Sequence, residues 1–267
     1  MAKTLPQGKG MYIWRIERLL GGDPVAIAAR AKELGFTWVA IKIADGYLPY
    51  NIDKVTKKDL AAELIAELRK VGVGVWGWTY AYGNNPEVDA KMAISRALQL
   101  AVDGFILNAE AEFKTSVRKR SMAREAELTA RLIYEGLPDM AIGFSSFRYP
   151  TLHDLPWAKF LKYCDFIQTQ VYWMGVQNSA AQLVRSIAEY RLYSDLPFVP
   201  AGWCDHEHGY APTQQSIIEF HQKVVELGIQ ADLFWEWNGM EKFGYADTIG
   251  ALKWELGDVV IVPMPEP

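Results

Sequence analysis

Asn108 and Glu110 stand two residues apart near the end of the run Asp103-Gly104-Phe105-Ile106-Leu107-Asn108-Ala109-Glu110-Ala111-Glu112. In a strand, side chains two apart share a face, so this spacing presents an amide and a carboxyl group side by side. A carboxyl group can give a proton to a leaving oxygen and later take one from water. A neighbouring amide can hold a carbonyl of the bound ligand. The same alternation puts Phe105, Leu107 and Ala109 on the other face, where they can lie under helices. The stretch therefore reads as a strand with one packing face and one chemical face.

Such a face becomes a site only if the rest of the chain brings it to a shared opening. Strand-like runs rich in β-branched and aromatic residues cover 11–16, 37–43, 73–82, the 103–112 stretch, 140–144, 166–172, 197–202 and 231–237. Helical segments follow them, with start signals at Asp23-Pro24, Thr56, Asn85-Pro86, about 116, Pro156 and Thr213. Residues 182–191 lie inside another helix, and the last helix covers 246–256. Eight strands each followed by a helix predict an α/β fold, a single (β/α)8 TIM barrel over residues 1–257. Residues 258–267 read as a tail or linker. A doubly wound sheet could use the same alternation, but it usually carries a glycine-rich phosphate loop after an early strand, and none is found.

The bulk numbers agree. A chain of 267 residues, half of them hydrophobic, can bury one large core. A net charge of −4, with Arg118-Lys119-Arg120 as the longest basic run, gives no support to nucleic-acid binding. Cys164 and Cys204 make neither a metal spacing nor a disulfide framework, which leaves one bridge or two free thiols. No window has the length of a membrane span, and the first residues lack the apolar run of a signal peptide. A soluble protein is expected, with neither cofactor nor metal. Its place could be the cytoplasm, a phage, or outside the cell by another route.

In a barrel the carboxyl ends of all strands meet at one mouth. Strand two brings Lys42 and Asp45, and strand three Tyr80 or Thr79. Strand four brings Asn108, Glu110 and Glu112, and strand five Ser145 and Ser146. Strand six places Gln168, Gln170 and Tyr172 on one face. Strand seven ends in Trp203 and Asp205-His206-Glu207-His208. Strand eight puts Phe234, Glu236 and Asn238 on one face and Trp235 and Trp237 on the other. Buried amides and carboxyls need partners, so an inward row of them points to a ligand or a network. Acid, amide and aromatic together suit a neutral, polyhydroxylated ligand, with rings to stack on a sugar's apolar face.

The fourth strand, Asp-Gly-Phe-Ile-Leu-Asn-Ala-Glu, resembles the strand-four motif of barrel glycoside hydrolases acting on N-acetylhexosamine polymers. Chitinase-type enzymes carry Asp two residues before the catalytic Glu. The family eighty-five endo-β-N-acetylglucosaminidases carry Asn there, as Asn108 stands before Glu110. The Gln-Val-Tyr-Trp-Met-Gly and Phe-Trp-Glu-Trp-Asn-Gly stretches are similar to the chitinase-type sixth and eighth strands, and Ile-Lys-Ile-Ala-Asp-Gly is similar to barrel muramidases. Ile106 departs from the pattern, since a further Asp is usual at that position.

The resemblance implies substrate-assisted hydrolysis of an N-acetylated glycan: chitin-like, peptidoglycan or an N-glycan core. Glu110, kept protonated by a partly apolar mouth, would act as general acid and then base. Asn108 would hold the substrate's acetamide and Tyr172 would bond its oxygen. Asp45, Lys42, Tyr80, Glu112, Gln168, Gln170, Trp203 and Trp237 would bind substrate.

Other readings stay open on the residues themselves. Glu110 could work with Glu236 or Asp45 as a second carboxylate; separations of roughly 5–5.5 Å favour retention and roughly 6.5–9.5 Å inversion. Lys42 could form a Schiff base, or balance Glu110 or Glu112. The Asp205–His208 loop could hold a metal or simply rim the mouth. A non-catalytic glycan-binding barrel, as a module of a phage particle or cell-surface assembly, would carry the same aromatic mouth.

Overall fold

The alternation of apolar runs and capped helical segments is realised as a closed (β/α)8 barrel in the computed structural model, which describes residues 3–254. Its strands are β1 (Gly8–Ile13), β2 (Trp38–Asp45), β3 (Gly74–Ala81) and β4 (Gly104–Ala109). They continue with β5 (Ala141–Phe147), β6 (Phe166–Gln170), β7 (Ala201–Trp203) and β8 (Ala231–Trp235). All pair in parallel, and β1 joins both β2 and β8, so the sheet has no free edge. A two-residue antiparallel strand, Leu48–Pro49, leans on β2.

Bulky rings fill the barrel interior because small residues stand opposite them. Gly10 pairs with Trp38, Gly104 with Trp76 and Gly143 with Phe166. A Cβ on any of these glycines would come within 2.4 Å of the facing ring, so each glycine provides the volume its neighbour occupies. Tyr12, Trp78 and Ile106 also belong to this inner cluster. Phe105, Leu107 and Ala109 belong instead to the larger cluster between strands and helices. The strand-four stretch thus has the two faces its alternation predicts.

Local chemistry sets the helix ends. Asp23 accepts from the amides of Val25 and Ala26 ahead of α1 (Pro24–Glu33), where Pro24 lacks the N–H that would be left over. The helix expected from Thr56 begins only at Leu60. Asp53 accepts from the amides of Val55 and Thr56 and holds them in a turn, and Asp59 caps α2 (Leu60–Lys70) instead. The helix expected from about 116 is split into one turn, Thr115–Arg118, and the longer Ala123–Gly136, with Lys119 at positive φ between them. At the base of the barrel the buried Lys9 ammonium donates to the carbonyls of Ile249 and Leu252, at 2.6 and 3.0 Å. That ties the last helix, Ala246–Ala251, to β1. The expected boundary at 257 and the expected tail 258–267 lie outside the described residues.

Both cysteines are free and buried. Among the described residues no helix is long and apolar enough to cross a membrane, and no cluster of His, Cys, Asp and Glu could hold a metal ion.

Candidate active site

The strand ends converge on a cleft of about 440 Å³ whose lining includes Asn108, Glu110, Gln170, Tyr172 and Trp235, a volume suited to a small ligand or sugar unit. Asn108 is the last inward residue of β4, and Glu110 follows at the strand tip. The Asn108 amide donates to Glu110 Oε1 at 3.0 Å. Gln170, at the end of β6, donates through Nε2 to the same oxygen at 3.0 Å and lies 3.2 Å from Asn108 Oδ1. Two amides from two strands therefore fix one carboxylate oxygen. The other, Oε2, has no protein partner among the described residues, and the residue itself lies on the cleft.

Below this group Gln170 also approaches Ser145 Oγ at 3.3 Å. The Tyr12 hydroxyl lies 3.4 Å from Ser145 and donates to Gln168 Oε1. Burial pushes the Tyr12 phenol well above its ordinary range, so it stays a neutral donor. Gln168 is fully buried, and its amide nitrogen has no partner. It supports the floor and does not reach the cleft.

Aromatic rings shape the β8 side. The Trp235 ring stands edge-on to Tyr12 and Trp78, at 5.3 and 5.8 Å. It is only tilted relative to Trp14 and Tyr172, by 33° and 31° at 6.0 and 6.4 Å. Tyr172 and Trp235 border the cleft, while Trp14 lines the neighbouring cavity. Burial raises the Tyr172 phenol, leaving a hydroxyl that can donate. Trp235 Nε1 donates to Glu207 at 3.0 Å, and burial raises that carboxyl group too.

Other expected residues go elsewhere. A register shift between Lys42 and Ala44 in the β2–β3 pairing brings Asp45 back beside Lys42, 3.0 Å away. The Lys42 ammonium lies over the rings of Tyr50 and Trp78; burial lowers its pKa and Asp45 opposes that. Asp45 also accepts from Tyr82 at 3.0 Å. Glu112 lies in a short 3-10 turn beyond the strand, where it accepts from Tyr80 at 2.6 Å. Glu236 lines a separate cavity of about 190 Å³ with Trp14, Asp205 and Asn238, and caps the helix Trp237–Lys242 through the Gly239 amide. Burial raises its pKa to about 7. Trp203 is fully buried near Trp173, and Trp237 is fully buried near Phe36; neither reaches the cleft. His206 stacks on Phe243 and bonds Tyr245 at 3.0 Å, away from His208.

Several lining residues were not among those expected to act or to bind: Trp235, Glu207, Phe147 at the end of β5 and, past it, Arg148 and His153. Strand parity could have found Trp235. Phe234 packs on Phe220 of the helix Gln214–Glu226, so the odd-numbered β8 residues face inward. Phe147 closes β5, and the others stand on loops, where no alternation applies.

No protein-family model matches the sequence, and no curated protein matches it. Solved structures do. A family GH18 chitinase from Cycas revoluta, in complex with allosamidin, superposes with a TM-score of 0.66 over 91% of this chain and 98% of its own, at 11% identity. A chitinase from Bacteroides thetaiotaomicron gives 0.66 over 91% and 95%, at 13% identity. The PgaB (BpsB) glycoside hydrolase domain from Bordetella bronchiseptica gives 0.61 over 92% and 98%, at 12% identity. The likeness is one of fold.

Proposed function

We propose that the chain is a glycoside hydrolase acting on a glycan that contains N-acetylhexosamine, with Glu110 as general acid and base. One observation carries this reading. The Glu110 carboxylate is fixed through a single oxygen by Asn108 and Gln170, while its other oxygen has no partner, in a cleft bordered by Tyr172 and Trp235. A held acid with a free oxygen is what proton transfer to a leaving group requires. Barrels of similar fold that are named as chitinases and as a glycoside hydrolase domain add support.

In this reading Trp235 carries the sugar face, and Glu110 Oε2 gives its proton to the glycosidic oxygen. The substrate's acetamido oxygen attacks the anomeric carbon as the bond to the leaving sugar breaks. This substrate-assisted route departs from the two-carboxylate scheme. Asn108 and the Tyr172 hydroxyl orient the acetamide. Water then opens the oxazoline-like intermediate while Glu110 takes its proton. The partners first considered for a two-carboxylate route are engaged elsewhere: Asp45 with Lys42 and Tyr82, Glu236 in its own cavity.

The test is incubation with a panel of N-acetylglucosamine-containing glycans, including chito-oligosaccharides, peptidoglycan fragments and N-glycan cores, read by mass spectrometry beside Glu110→Gln. Cleavage by the parent and none by the variant is the expected result. Binding of a glycan by both with cleavage by neither would overturn the hydrolase reading in favour of a glycan-binding module.

A further inference from the structure

The cleft has a second chemical character on its β5 side. Arg148, one residue past β5, is half-buried on the cleft wall together with Phe147 and His153. One nitrogen, Nη1, donates to the carbonyl of Tyr172. The Nε and Nη2 edge has no hydrogen-bond partner among the described residues. Burial disfavours its charge, and the ionisable groups its charge meets are the Tyr149 phenol and a second guanidinium, Arg185, with no carboxylate among them.

The nearby acids are committed elsewhere. Glu189 holds Arg185 at 2.7 Å and accepts from Thr151, and Asp154 holds Ser116. Further positive charge stands close by, since the Lys114 ammonium lies over the Phe147 ring at 4.3 Å. His153 stacks on the same ring, 4.0 Å between centroids. Burial first, and then Lys114, lowers the His153 pKa, so near pH 7 the ring is neutral with one N–H to offer.

A chain of net charge −4 has thus placed a half-buried guanidinium, without a counter-ion, on the wall of the cleft that holds Glu110. The Tyr149 ring lies 5.0 Å beneath the guanidinium, but a half-buried charge with no counter-charge is unfavourable, and the open Nε–Nη2 edge matches two oxygens of a carboxylate or sulfate. We propose that the cleft takes a glycan bearing an anionic substituent, a carboxylate or a sulfate ester, on a sugar beside the one that is cleaved, and that Arg148 binds it. This rests on the glycoside hydrolase reading and names the substrate class of that site.

The experiment measures binding to the Glu110→Gln protein by calorimetry, so that no ligand is consumed. Three tetrasaccharides serve as probes: a neutral N-acetylglucosamine tetramer, one in which alternate sugars carry a lactyl carboxylate, and one carrying sulfate esters. At least one anionic tetramer is expected to bind about tenfold more tightly than the neutral one, and whichever does so identifies the anion. Arg148→Gln on the same background removes that preference, and added salt weakens it. Arg148→Lys keeps part of it, which separates loss of charge from a loosened Tyr172 loop. Equal affinity for all three tetramers, or a preference that survives Arg148→Gln, overturns the inference and leaves the glycan reading standing. Failure of all three to bind overturns both.

Discussion

On the β2–β3 side of the mouth, Lys42 meets Asp45, Tyr82 meets Asp45, and Tyr80 meets Glu112. On the β4–β6 side, Asn108 and Gln170 meet one oxygen of Glu110 and leave the other free, and Arg148 keeps an open guanidinium edge beside the same cleft. The residue types are nearly the same in both halves: acids, phenols, amides or cations. What differs is whether the protein completes their bonding. A completed network rigidifies its surroundings and offers little to a ligand, whereas a deliberately incomplete one leaves desolvated groups whose partner must come from outside. The first half braces the barrel end; the second half is where chemistry is available.

The sharpest way to break this contrast is at Glu110. Glu110→Gln keeps the acceptor oxygen for Asn108 and Gln170 and removes the proton. Glycan cleavage is therefore expected to fall by about 10²–10⁴-fold with the thermal midpoint little changed. A variant that stays active would move the acid elsewhere in the cleft. The matching change in the braced half is Asp45→Asn, which leaves the buried Lys42 ammonium without its counter-charge. Chemical denaturation should show a loss of about 3 kcal/mol. Lys42→Met added to Asp45→Asn should recover much of it, because both charges then leave together. If Asp45→Asn were fully stable yet inactive, the two halves would have to exchange roles.

How much of this was legible in the sequence follows the same division. Alternation places Asn108 and Glu110 on one face of β4 because a strand has period two and Phe105, Leu107 and Ala109 must be covered by helices. It also brings Gln170 and Tyr172 to the same cleft. It cannot foresee the irregularity between Lys42 and Ala44, which turns Asp45 back onto Lys42. Nor can it foresee the 3-10 turn that hands Glu112 to Tyr80. At β8 the run Ala231–Trp235 carries large apolar residues on both faces, Leu233 and Trp235 on one and Phe234 on the other, and its one acid, Asp232, is itself buried, so polarity does not mark which face is inward. The contact of Phe234 with Phe220 shows that the odd-numbered residues face inward, and because the strand ends at Trp235 and a helix starts at Trp237, Trp235 stands at the mouth while Trp237 packs near Phe36. Arg148 and Glu207 stand on loops, whose course depends on packing partners distant in the chain.

A quieter test concerns Glu236, the buried carboxyl outside the main cleft. Its folded pKa is raised from the ordinary 4.5 to about 7, so the fold favours the neutral acid. That contribution is fully present below pH 4.5 and is lost as pH rises towards 7. At 1.36 kcal/mol per unit it amounts to about 3 kcal/mol. Glu236→Gln, which keeps an acceptor for the Gly239 amide, should flatten the fall in thermal midpoint across that range. A profile identical to the parent's would mean that this carboxyl is not neutral in the fold.

The smallest effect expected is at Gln170, and it bears most directly on the contrast between the two halves. Gln170→Leu removes one of the two donors fixing Glu110 while Asn108 still holds the same oxygen. Hydrogen bonds to a charged group contribute about 1.5–3 kcal/mol, so a loss of roughly 10- to 100-fold in kcat is expected if both amides are needed to aim the free oxygen. KM should change little, since Trp235 and Tyr172 on the cleft wall are untouched. Because Gln170 also supports Ser145, the comparison needs Ser145→Ala alongside it. A similar fall in kcat from Ser145→Ala would assign the effect to the floor beneath the acid, and only a fall confined to Gln170→Leu supports the reading that two converging amides hold Glu110 in place for its reaction.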